Sequence, residues 1–360
     1  MNYWDYIKVE RLLSLQTGLD DPDSPPSNDE NLFITVHQVY ELWFKLILAE
    51  LGTVRTLFRR NPVPDQDLAA AVRSLRRCVR IFEVATQHWQ VVETLTTRDY
   101  LAFRDQLVGA SGFQSPQLRE IEIMLGLDDS TRIACAGESS YKQLLEQDGK
   151  TTWALDKVEA RIAEGHSYKH ALYGWLARTP IDGSSEPAHV DDYLRQFLEA
   201  HEQHAQRLLA ASLKRTDRKA DREILERRYT RDVERARTFL MAEDCDDRAA
   251  VKHIRAALLF IESHRELPRL AWPREVVDTT LALEQAMIIW RQRHARMVEC
   301  MIGRRTGTGG SGGVDYLDQT ALKYRIFAEL WAVRTMLLRK EAVPPLSRPE
   351  DYRFRVEDTE

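Results

Sequence analysis

Residues 284–313 read EQAMIIWRQRHARMVECMIGRRTGTGGSGG, an apolar segment with one histidine followed by a segment rich in glycine. At helical spacing His294 shares one face with apolar side chains: Met287, Trp290, Met297, Val298 and Met301. The charged residues of the segment lie mostly on its other faces. The pattern predicts a helix that presents a single imidazole on an apolar stripe and then runs into a glycine-rich loop.

The glycine-rich loop at the end of this stretch is too dense in glycine to be a simple connector, because glycine costs backbone entropy. Glycines are usual where backbone must come close to something flat or anionic, so we expect the loop to close over whatever the imidazole holds. Gly307–Gly312 matches the dinucleotide-binding pattern G-x-G-x-x-G. That motif needs a strand before it and a helix after it, and here a helix precedes it, so no dinucleotide site is predicted.

The composition is that of a soluble globular protein: of 360 residues, 43% are hydrophobic and 30% are charged. A net charge of −5 argues against non-specific nucleic-acid binding. The N-terminus lacks a basic region followed by an apolar run, and no stretch approaches about 18 uninterrupted apolar residues. The four cysteines form no CxxC pattern and read as reduced thiols. A cytoplasmic protein without a membrane or nucleic-acid partner is therefore predicted.

Hydrophobic periodicity predicts helix over nearly the whole chain, with no convincing strand. Ser27, Asn28 or Asp29 is expected to cap the first long helix, and Thr97 a shorter one. The predicted helices cover 5–15, 31–60, 66–96, 98–108, a segment ending at 125, two within 190–241, 247–266, 276–303 and 316–339. The predicted fold class is all-α, with one helical-bundle domain over 1–360, a peripheral helical insertion at about 130–250 and a loosely held tail at 340–360.

Three further segments carry polar groups suited to binding. His37 shares a helix face with apolar and aromatic side chains: Phe33, Ile34, Tyr40, Phe44 and Leu48. Arg104 follows Tyr100 by one turn on an otherwise apolar helix, and an inward guanidinium needs an anionic partner, either a ligand or an internal acidic residue. The loop at Ser111 and Gly112 comes shortly afterwards.

One chemistry accommodates all four segments. A neutral imidazole on a helix lined by Met and Trp is a suitable axial ligand for haem iron. Glycine-rich backbone can lie close to the flat porphyrin, and a second imidazole on another helix could accept a hydrogen bond from a substrate N–H. An inward arginine could hold a substrate carboxylate through two parallel hydrogen bonds.

The motifs that carry these residues resemble the tryptophan 2,3-dioxygenases, in the order of that family. They cover roughly residues 3–126 and 280–317, and no motif is recognised at 130–250. The matching motifs are Tyr3-Trp-Asp-Tyr6, Leu12-Leu-Ser14, Asp29-Glu-Asn-Leu-Phe33, His37-Gln-Val-Tyr-Glu-Leu-Trp-Phe-Lys45, Trp89, Glu93-Thr-Leu-Thr96, Tyr100-Leu-Ala-Phe-Arg104, Ala110-Ser-Gly-Phe-Gln-Ser115, Trp290-Arg-Gln-Arg-His294 and the loop from Ile302.

The resemblance implies a homotetrameric all-α enzyme that uses haem b and O2 to open the indole C2–C3 bond of L-tryptophan, giving N-formylkynurenine. It implies that His294 is the proximal iron ligand, with Trp89 beside it. His37 would accept a hydrogen bond from the indole N–H, and Phe33 would wall the indole pocket. The substrate's amino acid end would be bound by Tyr100, Arg104 and Thr308. The haem surface would be contacted by Ser111, Gly112, Gly309 and Gly310. The pocket of a neighbouring subunit would be lined by Tyr3, Tyr6 and Ile7.

Two departures from the family pattern leave alternatives open. Asn28 stands where the family usually has histidine, and Gly312 where its loop usually has a second serine. Gly312 could enlarge the amino acid end of the pocket. The alternative is therefore a related haem oxygenase that acts on a modified tryptophan or indole in a natural-product pathway, by monooxygenation or dioxygenation. A haem-binding sensor without catalysis would need His294 but not the combination of His37 and Arg104.

Overall fold

A computed structural model of the chain describes residues 1–18, 25–107, 114–133, 141–146, 151–307 and 312–354. Every regular element within those ranges is a helix, which confirms the predicted all-α fold. The α-helices are α1 (Tyr3–Ile7), α2 (Val9–Leu13), α3 (Asn28–Phe58), α4 (Asp65–Val92), α5 (Thr97–Arg104), α6 (Pro116–Leu125), α7 (Trp153–Ala163), α8 (Tyr168–Leu176), α9 (Pro187–Leu213), α10 (Lys219–Leu240), α11 (Arg248–Ser263), α12 (Ala271–Ile302), α13 (Val314–Lys323) and α14 (Ala328–Arg334).

The chain divides into two compact units. Unit 1 consists of Met1–Val54, Arg73–Tyr168 and Ala282–Ile326, and it contains both histidine-bearing stretches described above. Unit 2 consists of the remaining segments, Arg55–Val72, Lys169–Leu281 and Phe327–Glu360. That residues 1–360 act as one domain, with an insertion at about 130–250 and a loosely held tail at 340–360, stays a prediction.

Helix α3 forms one wall of unit 1. It begins where the hydroxyl of Ser27 accepts a hydrogen bond from the Glu30 backbone N–H at 3.1 Å, so Ser27 is the cap among the three candidates. Its buried face is apolar and recurs every three or four residues: Tyr40, Phe44, Ile47, Leu51 and Val54. The hydroxyl of Tyr40 donates to the carbonyl of Ala85 at 3.0 Å, which ties α3 to α4.

Helix α3 is also long and apolar enough, by length and composition alone, to cross a membrane, and it is the one such helix in the described ranges. The core helices of soluble proteins pass the same test, and α3 carries His37, Glu41 and Lys45 in its middle. The helix is therefore weak evidence for a membrane span.

Three predicted boundaries were wrong for identifiable reasons. The predicted helix 5–15 is two short helices, α1 and α2, because Lys8 between them has a left-handed backbone conformation with φ of 57°. The cap of α5 is Thr96 and not Thr97, because Asp99 stands three residues after Thr96 and closes a reciprocal capping box. The predicted helix 316–339 is two helices, α13 and α14. Between them the backbone N–H of Ile326 donates to the buried carboxylate of Glu284 at 2.5 Å, a hydrogen bond that replaces one inside a helix.

The weakly patterned region after residue 127 contains two α-helices, α7 and α8, that sequence periodicity did not define. Helix α7 is capped by Thr152, whose hydroxyl accepts from the backbone N–H of Leu155 at 3.3 Å. Its buried side chains are Leu155 and Val158, which pack with Leu145 in a small cluster of unit 1. Because only two side chains of this helix are buried, its hydrophobic pattern is faint.

Unit 2 contains a cluster of ion pairs centred on Arg255 of α11, which is 2% exposed. Its guanidinium donates to Glu329 on α14 at 2.7 Å and to Asp244, after the end of α10, at 2.6 Å. It also lies 3.9 Å from the ring centroid of Phe239. A buried guanidinium is tolerated because these carboxylates neutralise it.

Candidate active site

Unit 1 contains a partly open cavity of about 910 Å³, which is near the upper end of the range for ligand pockets. Both candidate histidines border it, and its lining residues come from seven of the described α-helices. The lining includes Leu12, Leu15, Phe33, Ile34, His37, Gln38, Glu41, Tyr100, Gln117, Arg119, Trp290, Arg291, His294, Met297, Val298, Met301, Gly307 and Gly313. Such a cavity has room for a large planar cofactor and a small substrate together.

The His37 imidazole has a defined protonation pattern. Its Nδ1 lies 2.7 Å from the carbonyl oxygen of Phe33, one turn earlier on α3. Because a carbonyl can only accept, Nδ1 carries the hydrogen, and Nε2 is left as an acceptor. Burial lowers the pKa of His37, outweighing the opposing effects of the Phe33 carbonyl and the charge of Glu41. The imidazole is therefore neutral at physiological pH, with one nitrogen available to accept a hydrogen bond.

The His294 imidazole is stacked on the indole of Trp89. The two ring centroids are 4.5 Å apart and the planes are within 5° of parallel. Burial, followed by the nearby His37 and the positive charge of Arg291, lowers the pKa of His294 to about 3. A neutral imidazole that borders a cavity keeps a lone pair free, which is the state a metal ligand requires.

An aromatic cluster surrounds this stack. The ring of Tyr40 lies 4.5 Å from that of Trp89, and Trp290 lies 5.7 Å from both Trp89 and His294. The sequence pattern places Tyr40 on the same helix face as His37, but it does not predict the contact of Tyr40 with Trp89. Its place on the buried face of α3, four residues before Phe44, was the available signal.

Of the two partners that the sequence leaves open for Arg104, a ligand or an internal acidic residue, the described residues do not supply the second. The guanidinium Nη2 donates to the backbone carbonyl of Thr306 at 2.8 Å, and no described carboxylate pairs with it. Tyr100 lies beside it: burial raises the pKa of the Tyr100 hydroxyl, and the charge and hydrogen bond of Arg104 partly oppose that rise. Tyr100 also packs 5.8 Å from Phe33. Arg104 is not among the residues that line the cavity, but it anchors the backbone at Thr306, one residue before the lining Gly307.

A second charged cluster at the cavity was missed entirely by sequence reasoning. The carboxylate of Glu122, whose side chain is 0% exposed, accepts from Arg119 at 2.9 Å and from Arg132 at 2.6 Å. It also accepts from Arg291, one turn before His294. The spacing of Arg119 and Glu122 on α6 is typical of an ion pair within one helix. The other two partners, Arg132 and Arg291, come from elsewhere in the chain, and no local sequence pattern predicts them.

The other predicted site residues fall into two groups. Ser111, Gly112, Thr308, Gly309 and Gly310 lie outside the described residues. The N-terminal residues are described and exposed: Tyr3 is 72% and Tyr6 73% accessible, and Ile7 is 39% accessible. None of these three borders the cavity, although Leu12 and Leu15 just after them do.

Two neutral imidazoles from different helices thus border one large cavity, and a neutral imidazole is able to ligate a metal ion or to accept a hydrogen bond. A family model described as tryptophan 2,3-dioxygenase matches residues 1–337, including the 130–250 region in which no motif was recognised. The chain belongs to the tryptophan 2,3-dioxygenase family, whose members are enzymes.

Comparison with individual members of this family supports the assignment of the chain to it. The chain is 59% identical to a tryptophan 2,3-dioxygenase of Sorangium cellulosum, over 100% of the chain and 89% of the relative. It is 55% identical to tryptophan 2,3-dioxygenase 2 of Ralstonia nicotianae, over 99% of the chain and 98% of the relative. A more distant relative is tryptophan 2,3-dioxygenase B of Danio rerio, 30% identical over 98% of the chain and 85% of the relative.

Proposed function

We propose that this protein is a haem-dependent tryptophan 2,3-dioxygenase, which cleaves the indole C2–C3 bond of L-tryptophan with O2 to give N-formylkynurenine. The observation that carries the proposal is the convergence of the neutral His37 and His294 imidazoles on one cavity in a chain of this family. The relatives named for the same reaction favour it over monooxygenation of a modified indole.

His294 is the residue that would hold the iron of haem b. Its lowered pKa leaves the coordinating nitrogen unprotonated, and the parallel Trp89 ring holds the imidazole from one side. The same proposal assigns Ser111, Gly112, Gly309 and Gly310 to the porphyrin surface. When bound, ferrous haem supplies the activation of O2, and the protein orients the substrate beside it.

His37 is the proposed partner of the substrate indole. Because Nδ1 is engaged with the Phe33 carbonyl, Nε2 can accept a hydrogen bond from the indole N–H and thereby fix the ring in the cavity. Phe33 lies 4.1 Å from the His37 ring and would form the adjoining wall. A neutral His37 acts here by positioning the substrate, and the role needs no net proton transfer.

The amino acid end of the substrate is assigned to Arg104, Tyr100 and Thr308. Arg104 already contacts the Thr306 carbonyl, so a bound carboxylate would be held beside the loop that carries Thr308. A bidentate arginine–carboxylate contact would fix both the distance and the orientation of that end.

We further propose a cytoplasmic homotetramer. Three exposed aromatic rings, Tyr3, Trp4 and Tyr6, lie together on the short helix α1. Single exposed apolar side chains are common on protein surfaces, whereas a group of them is typical of an interaction surface. In a tetramer this surface would be covered by a second copy, with Tyr3, Tyr6 and Ile7 lining the partner's pocket. Small-molecule substrates and no nucleic acid are expected as further partners, given the net charge of −5.

The product of the reaction tests the function directly. Haem-reconstituted, reduced protein is incubated with L-tryptophan in air, and the product mass is measured. We expect a gain of two oxygen atoms, because both atoms of O2 enter the cleaved ring. A gain of one atom would replace the proposal with the monooxygenase alternative. No product despite a normal ferrous haem spectrum would contradict tryptophan as the substrate and move the test to substituted tryptophans.

The variant Arg104→Leu tests the substrate-carboxylate assignment. We expect weaker tryptophan binding by about 2 kcal/mol, or roughly 30-fold, because a charge-assisted hydrogen-bonded pair is lost. The measurement is the tryptophan dissociation constant of the haem-loaded protein, compared with that of tryptamine, which has no carboxylate. Tryptamine affinity should change little. Equal losses for the two ligands would instead attribute the effect to the Thr306 loop contact.

A further inference from the structure

An ion pair lies immediately beside the proposed axial histidine but outside the cavity. Glu93 follows Trp89 by one helical turn, just after the end of α4, and Arg293 directly precedes His294 on α12. Arg293 Nη2 donates to Glu93 Oε2 at 2.5 Å, and the two side chains are 35% and 20% exposed. Neither residue is among those that line the cavity. The pair thus links the chain beyond α4 to α12 at the level of the Trp89–His294 stack.

The Trp89 indole between these elements has little freedom to move. It is 2% exposed, lies parallel to His294 at 4.5 Å, and has the Tyr40 ring 4.5 Å away on another side. Tyr40 is itself fixed by its hydrogen bond to Ala85 of α4. Since the indole is held by its neighbours, the plane of the stacked imidazole follows the plane of the indole.

The imidazole of His294 is oriented differently from most metal-ligating histidines. Such histidines usually donate the second ring N–H to a carboxylate or a carbonyl, which fixes the ring orientation. Within the described ranges, no side chain or backbone group makes a hydrogen bond to His294. Ring stacking is therefore the interaction in those ranges that sets the angle of the imidazole, and the angle depends on how α4 and α12 are held together.

We propose that Glu93 and Arg293 form a positioning pair, which fixes the plane of the His294 imidazole by clamping the end of α4 to α12 beside Trp89. The proposal rests on the proposed role of His294 as haem ligand. A partly exposed ion pair contributes little to global stability, so its effect is expected in the geometry of the iron–imidazole bond and not in the folding of the protein.

The test uses the full chain loaded with haem and the variants Glu93→Gln and Arg293→Gln. The matched control is Arg296→Gln, also on α12. It removes ion pairs to Glu299 at 2.7 Å and to Asp318 at 2.6 Å, neither of which involves Trp89 or His294. In the ferrous protein the iron–imidazole stretching band is recorded by resonance Raman spectroscopy. The rate of haem loss to a scavenging apoprotein is measured alongside. We expect a shifted or broadened band and about 10-fold faster haem loss in both test variants, with no change in the control.

The double variant Glu93→Arg/Arg293→Glu separates positioning from a general loss of structure. Restoration of the wild-type band by this charge exchange is expected, because the clamp is re-formed with its polarity reversed. A wild-type band and haem-loss rate in both single variants would overturn the clamp, and so would an equal change in Arg296→Gln. A wild-type protein that binds no haem would overturn the proposed function as well, so the two failures are distinguishable.

Discussion

Replacing His294 with alanine is expected to weaken haem binding by more than about 100-fold, because even groups that only support a metal ligand contribute 10- to 100-fold. The fold should survive, since the imidazole borders the cavity and makes no hydrogen bond to another described residue. Titration of the apoprotein with haem, followed through the Soret band, gives the affinity, and circular dichroism verifies that the helices remain.

The matched control is His37→Ala, which removes the other imidazole of the same cavity. Because His37 is assigned to the substrate, haem affinity should stay within a few-fold of the wild type while tryptophan turnover falls. A second control is His294→Gly with added imidazole. The free imidazole should replace the missing side chain and restore the wild-type haem spectrum. Retention of normal haem binding by His294→Ala would rule out the axial role, and loss in both histidine variants would indicate cavity collapse.

The helices that the sequence predicted well are those with long, one-sided apolar patterns. Helix α3 was located to within a few residues at both ends, since Ser27 caps it and Pro62 lies just beyond its end. Helices α7 and α8 were not defined, because short helices with few buried side chains have no sustained period. The break between α13 and α14 depends on a hydrogen bond to Glu284, 42 residues away, and no local pattern encodes it.

The site shows the same division between local and distant information. Periodicity placed His37 and His294 on apolar faces, and the structure brings both to one cavity. The acceptor of Arg104 is a backbone carbonyl 202 positions later, which side-chain chemistry alone could not identify. The arginines around Glu122 were missed for a related reason: a buried charge cluster is defined by tertiary proximity, and each arginine alone resembles an ordinary surface residue.

The variant Glu122→Gln is expected to destabilise the protein by about 3–5 kcal/mol, because it leaves buried guanidiniums without their shared carboxylate. In the wild type this carboxylate accepts from Arg119, Arg132 and Arg291, and its side chain is fully buried. Denaturant unfolding followed by tryptophan fluorescence gives the change in free energy. The control is Asp129→Asn, which removes a 2.8 Å pair to Arg132 but is 68% exposed. That loss should be below about 1 kcal/mol.

The difference between wild type and Glu122→Gln should also depend on pH in a defined direction. Burial opposes ionisation of Glu122, but the three guanidiniums outweigh burial and lower its pKa from 4.5 to about 2. A carboxyl with a lowered folded-state pKa stabilises the protein fully above its unfolded value and loses that contribution as the folded value is approached. The stability gap should therefore be constant above about pH 5 and shrink between about pH 4.5 and pH 2. A gap that is unchanged across that window would show that the ionised carboxylate does not hold the cluster together.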